Sequence, residues 1–159
     1  MQIDWKGADK IEIKTKGATI STGAKIKINE VELLGPGEYE IAGVEIFGIA
    51  NDIYLFKVED INIGYFNSIN RALSADEIKE LSDISIAIIP IGGKGVIDEN
   101  KAVDIIKAIE PTIVIPIESA GLDKFCKIIG NCQDPISSYK TTKQQIELME
   151  GVTTVILTP

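Results

Sequence analysis

The sequence predicts an α/β fold in which two β-sheets pack together, with helices covering at least one outer surface. Up to about residue 66 nearly every segment has a strand pattern, and from residue 74 onward helices alternate with strands. The later strands are apolar on both faces and need cover on both sides, whereas the earliest strands alternate and need cover on only one. We therefore expect the helices on the C-terminal half and one wet face on the N-terminal sheet.

The N-terminal strands are recognised by a period of two. Ile11, Ile13, Ile26 and Ile28 alternate with the polar residues Lys10, Glu12, Lys14, Lys25, Lys27 and Asn29. That alternation indicates one buried and one solvated face. Strands expected over residues 44–49, 53–58 and 61–66 are more apolar and are predicted to lie centrally.

Capping signals predict three helices in the second half. Ser74 and Glu77 form a capping box, Asp98 can cap a second helix, and Gly130 is a plausible stop for a third. The expected apolar stripes are Ile78 and Leu81, then Ala102, Ile105, Ile106 and Ile109, then Leu122, Phe125, Cys126 and Ile129. Strands are predicted over 84–90, 112–117 and 152–157. No linker or repeat divides the chain, so residues 1–159 are expected to form a single domain.

Composition excludes several functions. The chain has no histidine, which removes the commonest metal ligand and proton shuttle. A net charge of −8 disfavours a nucleic-acid partner, and no apolar run is long enough for a membrane span. The start lacks signal-peptide features, so we expect a cytoplasmic protein with both cysteines reduced. Cys126 is predicted in the core and Cys132 as an exposed thiol.

Three short motifs are candidates for function. The GPGEYE string at 35–40 predicts a tight turn into an edge strand. Gly92, Gly93 and Lys94 lie between a strand and a helix, where a phosphate cradle is often found. Val96 stands where the P-loop needs Ser or Thr, which weakens the interpretation of this loop as a phosphate-binding site. Glu118 ends a buried strand, a usual place for functional groups in α/β sheets.

In this order, the GPGEYE turn, the loop at 89–93 and the IEPTIVIP run at 109–116 resemble the metallo-β-lactamase superfamily. The nearest branch is that of the small UlaG-like and RNase Z-like metal-dependent hydrolases. The resemblance implies a reduced αββα sandwich of two mixed sheets. It also implies that the N-terminal sheet has lost its outer helix, because the polar outer positions replace an apolar surface.

The metal ligands of that family do not carry over. Residues 21–34 are too few for its histidine-rich ligand loop, and its strand-end Asp and His fall at Ser68 and Arg71. The Met-His-Tyr of this branch becomes Ile117, Glu118 and Ser119. We therefore expect neither metal nor cofactor.

The leading hypothesis is a metal-free, non-catalytic binding or assembly module whose partner is a second copy or another protein. One alternative is a hydrolase in which Arg71 clamps an anionic substrate and Glu118 acts as the base, with Ser68 nearby. Another alternative is a sensor that binds a small anion through Arg71, Gly92, Gly93 and Lys94.

Overall fold

The computed structural model describes residues 1–117 and 120–159, and in these residues the strand and helix segments follow the predicted order. The strands are β1 (Gln2–Trp5), β2 (Ile11–Lys14), β3 (Thr19–Ser21), β4 (Lys27–Ile28), β5 (Val31–Glu32), β6 (Glu38–Ile41), β7 (Val44–Ala50), β8 (Ile53–Val58), β9 (Ile61–Phe66), β10 (Ile86–Pro90), β11 (Ile113–Ile117), β12 (Tyr139–Lys140) and β13 (Thr153–Thr154). The helices are α1 (Ala75–Glu80), α2 (Glu99–Ile109), α3 (Leu122–Ile129) and α4 (Lys143–Glu147).

The strands form two sheets. The six-stranded sheet has the order β12-β1-β2-β3-β4-β5 and is antiparallel throughout. The seven-stranded sheet has the order β13-β11-β10-β9-β8-β7-β6, parallel from β13 to β9 and antiparallel from β9 to β6. The mixed pairing expected of both sheets is therefore confined to the second. GPGEYE leads into β6, the edge strand that was predicted.

Two hydrophobic layers hold the fold. Between the sheets, Ile3, Ile13, Ile20 and Ile28 stand opposite one another across β1 to β4, and all four are fully buried. The second layer lies between the seven-stranded sheet and the helices, where Phe66, Ile89, Ile106 and Phe125 belong to one buried cluster. In the described residues, the amphipathic helices α2 and α3 cover the sheet whose strands are apolar on both faces, as the sequence predicts.

The outer face of the six-stranded sheet is polar. Asp4, Glu12, Ser21, Lys27 and Glu32 stand opposite one another in a second row. Lys10, Lys14, Lys25 and Lys27 are exposed, which agrees with the expected loss of an outer helix. Lys14 Nζ lies 2.8 Å from a Glu12 carboxylate oxygen and 3.6 Å from one of Asp4, so the adjacent acidic side chains share a cation.

Helix starts follow their caps. The Ser74 side chain accepts the amide of Glu77, and Asp98 accepts that of Lys101, at the two N-termini predicted. The helix α4 was not predicted from the sequence, although the Thr142 side chain accepts a hydrogen bond from the amide of Gln145 in a second capping box. The side chain of Ile146 in this helix belongs to the core between the sheets. None of the helices in the described residues is long and apolar enough to cross a bilayer.

The cysteines correct the sequence prediction. Cys126 and Cys132 form a disulfide, with their Cα atoms 5.7 Å apart, instead of two reduced thiols. Cys126 lies on the inner face of α3, partly buried against the helix-covered core. Cys132 pairs in a parallel bridge with Thr154 of β13, so the disulfide joins α3 to the segment beside the last strand.

Candidate functional site

The predicted site residues that the structure describes lie at one end of the seven-stranded sheet. β9, β10 and β11 are parallel neighbours, so their carboxyl ends meet at one edge. Ser68 and Arg71 follow β9, and Gly92, Gly93 and Lys94 follow β10. Glu118 follows β11 and, with Ser119, lies outside the described residues. The topology thus brings the described candidates to the same edge.

Arg71 is held by two carboxylates. Its Nε and Nη2 atoms donate to Asp52 at 3.1 and 2.8 Å, and its Nη1 and Nη2 atoms donate to Glu77 at 2.8 and 2.7 Å. Nη1 also donates to the carbonyl oxygen of Ala72 at 3.1 Å. A guanidinium has five N–H donors, and these five contacts use all of them. Substrate clamping by Arg71 is therefore disfavoured, because an anion would have to displace a carboxylate.

The ion pairs shift the pKa values of their members. The hydrogen bonds from Arg71 are the main reason that the pKa of Glu77 falls to about 2, and the amide of Ser74 lowers it further. The same bonds to Glu77 and Asp52 raise the pKa of Arg71 above its usual value. Arg71 joins the β7–β8 turn to the start of α1, an arrangement that fits a structural role.

Ser68 has the left-handed conformation, with φ of 51°, and its side chain is exposed. Its hydroxyl makes no hydrogen bond to the described part of the chain. A serine nucleophile needs a neighbouring base that removes its proton. Among the described residues none of the hydrogen bonds supplies such a base to Ser68. Glu118, the base of the catalytic alternative, lies outside them.

The Gly92 loop has a packing role. The amide of Gly92 donates to the carbonyl oxygen of Ile97 at 3.0 Å. A Cβ added at Gly92 would lie 2.8 Å from the amide nitrogen of Gly121. The loop is followed by Asp98, whose pKa is lowered mainly by the amide of Lys101 that it caps. An anion at this helix start would meet the carboxylates of Asp98 and Glu99, which disfavours the phosphate-cradle reading.

A cleft that sequence reasoning missed opens between the two sheets at this end. It has a volume of about 320 Å³ and is lined on one side by residues 23–26 and 32–35 and on the other by Tyr54 and Asn67. Tyr54 points into the core between the sheets from an apolar strand. A hydroxyl at that inward position was the only sequence signal for this cleft.

Similarity to known proteins identifies the family of this chain. The sequence profile of the beta-lactamase superfamily domain matches residues 5–118. This chain belongs to the beta-lactamase superfamily. The recognised GPGEYE turn and the 89–93 loop both lie inside the matched region, so the resemblance found in the sequence is confirmed. No curated protein sequence matches the chain.

Solved structures support the beta-lactamase superfamily fold. A candidate zinc-dependent hydrolase of the metallo-beta-lactamase superfamily from Thermotoga maritima is 18% identical, with a TM-score of 0.85 over 99% of this chain and 98% of that one. Igni18, a metallo hydrolase from the archaeon Ignicoccus hospitalis, is 11% identical, with a TM-score of 0.60 over 80% of this chain and 89% of its own. At these identities the likeness concerns the fold alone.

The described residues at the strand ends do not make a donor set that fits a metal ion. Ser68 and Arg71 stand where the resemblance places metal ligands, and a guanidinium has no lone pair to donate. Within residues 1–117 and 120–159, no three His, Cys, Asp or Glu side chains lie together in a group that could hold a metal ion. Residues 21–34 run from the end of β3 through the short β4–β5 hairpin and the turns that flank it.

Proposed function

We propose that this chain is a metal-free, non-catalytic member of its superfamily that works as a binding or assembly module. The proposal rests on the guanidinium of Arg71, in which every N–H donor already makes a hydrogen bond. A cation fixed by Asp52 and Glu77 occupies the strand-end region from which the family recruits metal ligands. It stabilises the fold there and leaves none of its donors for a substrate.

Metal content and hydrolysis test this proposal together. We expect purified protein, incubated with Zn²⁺ or Mn²⁺ and then desalted, to retain a substoichiometric amount of either metal by mass spectrometry. The same samples should not accelerate hydrolysis of bis(p-nitrophenyl) phosphate or p-nitrophenyl acetate. One bound metal per chain, or turnover that is lost in Arg71→Met, would overturn the proposal.

The partner of the module is a protein or a second copy of the chain. Two apolar side chains beside the β5 edge support this part: Leu34 is 93% exposed and Val31 is 50% exposed. Edge strands with exposed apolar residues favour association. Light scattering coupled to size exclusion should show a dimer that Leu34→Ser converts to a monomer. A monomeric parent chain would exclude self-association and leave a different protein as the partner.

The second candidate is a hydrolase or small-anion sensor at the same strand ends. Its support is that Ser68 and Lys94, which follow the neighbouring strands β9 and β10, are both exposed. Such a sensor should show a higher melting temperature with phosphate or a nucleotide, and Lys94→Ala should abolish that increase. The absence of any increase would eliminate the sensor.

A cytoplasmic location also belongs to the proposal. The disulfide is relevant because such bonds persist mainly in oxidising compartments. Trapping cellular thiols with an alkylating agent in acid reports the redox state of Cys126 and Cys132 in the cell. Because the structure joins these two cysteines, an oxidised pair in intact cells would contradict a cytoplasmic location, whereas a reduced pair would support it.

A further inference from the structure

The cleft between the sheets has the size of a small-ligand site. Its volume of about 320 Å³ falls near the lower end of the range that ligand pockets occupy. The lining comprises Gly23, Ala24, Lys25, Ile26, Glu32, Leu33, Leu34, Gly35, Tyr54 and Asn67. The lining thus mixes apolar side chains with the polar groups of Lys25, Glu32, Tyr54 and Asn67.

The Tyr54 side chain lines this cleft and has no hydrogen-bond partner among the described residues. The residue is 7% exposed, and its hydroxyl makes no hydrogen bond to any described residue. The neighbouring tyrosines differ: the Tyr39 hydroxyl donates to the Gly35 carbonyl at 2.8 Å, and that of Tyr65 donates to the Asp9 carbonyl at 2.9 Å. The hydroxyl oxygen is not fully buried, so a ligand or a water in the cleft can pair with it.

The Tyr54 hydroxyl is available as a neutral hydrogen-bond donor. Burial is the main reason that its pKa is raised, and nearby Tyr39 raises it further. Asn67 lines the same side of the cleft and carries a carboxamide, which both donates and accepts. A ligand that meets this side should therefore present a hydrogen-bond acceptor.

The opposite side of the cleft carries one charge of each sign. Lys25 and Glu32 form an ion pair in which their side chains are 63% and 32% exposed. A bare anion would find Lys25 already neutralised and would approach a chain with a net charge of −8. A molecule with both charges can instead contact both members of the pair at no net cost in charge.

We propose that this cleft binds a small zwitterion of the α-amino-acid class with a short aliphatic side chain. The carboxylate accepts from the Tyr54 hydroxyl and the Lys25 ammonium, and the ligand ammonium lies against Glu32. Ile26 and Leu33 contact the aliphatic part. The inference rests on the proposed function, because it supplies the binding module with a ligand class.

L-leucine is the probe, with isocaproate and isoamylamine as analogues that lack the ammonium and the carboxylate, respectively. Calorimetry should show saturable binding of L-leucine, at least about tenfold tighter than binding of either analogue. In amide NMR spectra, L-leucine should shift the signals of residues 23–26, 32–35 and 67. Equal affinity for isocaproate, or shifts elsewhere only, would overturn the proposal.

Two variants test the named contacts. Tyr54→Phe should weaken L-leucine binding about tenfold while its melting temperature stays at or above the parent value, because the hydroxyl has no protein partner. The matched control Tyr139→Phe, on the far edge strand β12, should bind as the parent does. Glu32→Gln should lose the preference for L-leucine over isocaproate, since Lys25 is then free for an anion. Unchanged binding in Tyr54→Phe would refute the site.

The two proposals can fail separately. Stoichiometric metal or hydrolysis in the samples that bind L-leucine would refute the non-catalytic module and leave the amino-acid site intact. Metal-free, inactive protein that fails to bind L-leucine at millimolar concentration would refute the site and leave a module for protein partners.

Discussion

Arg71 shows how a single side chain can link segments that are distant in sequence. Its guanidinium connects Asp52 in the β7–β8 turn to Glu77 in α1 with a bidentate pair on each side. Bidentate geometry requires the planar fork of arginine, which lysine lacks. The residue therefore contributes both charge and shape to this corner of the fold.

Replacing Arg71 should destabilise the chain more when both its charge and its hydrogen bonds are lost than when the charge is kept. Arg71→Met should lower the free energy of unfolding by about 1–2 kcal/mol, a range that takes into account the 39% exposure of the side chain. Arg71→Lys should lose less, because it keeps the charge. Urea unfolding measures both. Lys79→Met, an exposed change on α1 without a described ion pair, is the control and should stay within about 0.5 kcal/mol.

The lowered pKa of Glu77 predicts that the free energy of unfolding decreases at acidic pH. Its pKa is lowered from 4.5 to about 2, chiefly by Arg71, so the unfolded chain binds a proton more readily than the folded one. This contribution is complete above the unfolded pKa of 4.5 and is lost as the pH falls towards 2. Glu77→Gln should therefore be less stable at pH 7 and show a shallower loss in that acidic window.

Urea midpoints across that pH range measure the effect, and Glu80→Gln is the exposed control on the same helix. The control should reproduce the parent slope. If Glu77→Gln also kept the parent slope, the depressed pKa would have no consequence for stability. NMR titration of the Glu77 carboxyl in Arg71→Met should return its pKa towards 4.5, because the main cause of its depression is removed.

At the scale of secondary-structure elements, the disulfide stabilises the end of α3. Cys126 and Cys132 are separated by six positions, and closing so short a loop should contribute about 2 kcal/mol to stability. A reductant should lower the melting temperature of the parent chain and leave that of a Cys126→Ala/Cys132→Ala double variant unchanged. Protein purified without reductant should show no free thiol after denaturation. Two titratable thiols in that sample would contradict the bond.

The elements show which features could be predicted from the sequence. The starts of α1 and α2 were found because caps are local signals: Ser74 and Asp98 bond to backbone only three residues away. The disulfide was missed because cysteine proximity depends on how α3 packs beside β13. The pairing of Arg71 with Asp52 was missed for the same reason, because the two residues are 19 positions apart and meet only after β8 and β9 pair.

The whole molecule combines two layers of different character. The outer layer of helices and the core between the sheets bury most of the aliphatic side chains, and the remaining face of the six-stranded sheet is charged. The cleft lies where these two sheets separate at the hairpin β4–β5. Sequence periodicity predicted the layers because it records burial, but it could not place the cleft, which depends on loops from both sheets.

Adjacent residues of β4 test this two-sided arrangement. Ile28 is fully buried in the row between the sheets, whereas Lys27 is exposed on the polar face. Ile28→Ala should lower the free energy of unfolding by about 2–4 kcal/mol, because it leaves a cavity in a closely packed layer. Lys27→Thr should change it by less than about 0.5 kcal/mol and leave the mass in solution unchanged. A Lys27→Thr chain with altered mass in solution would instead show that a second copy covers this face, and altered stability alone would show that Lys27 interacts within the chain.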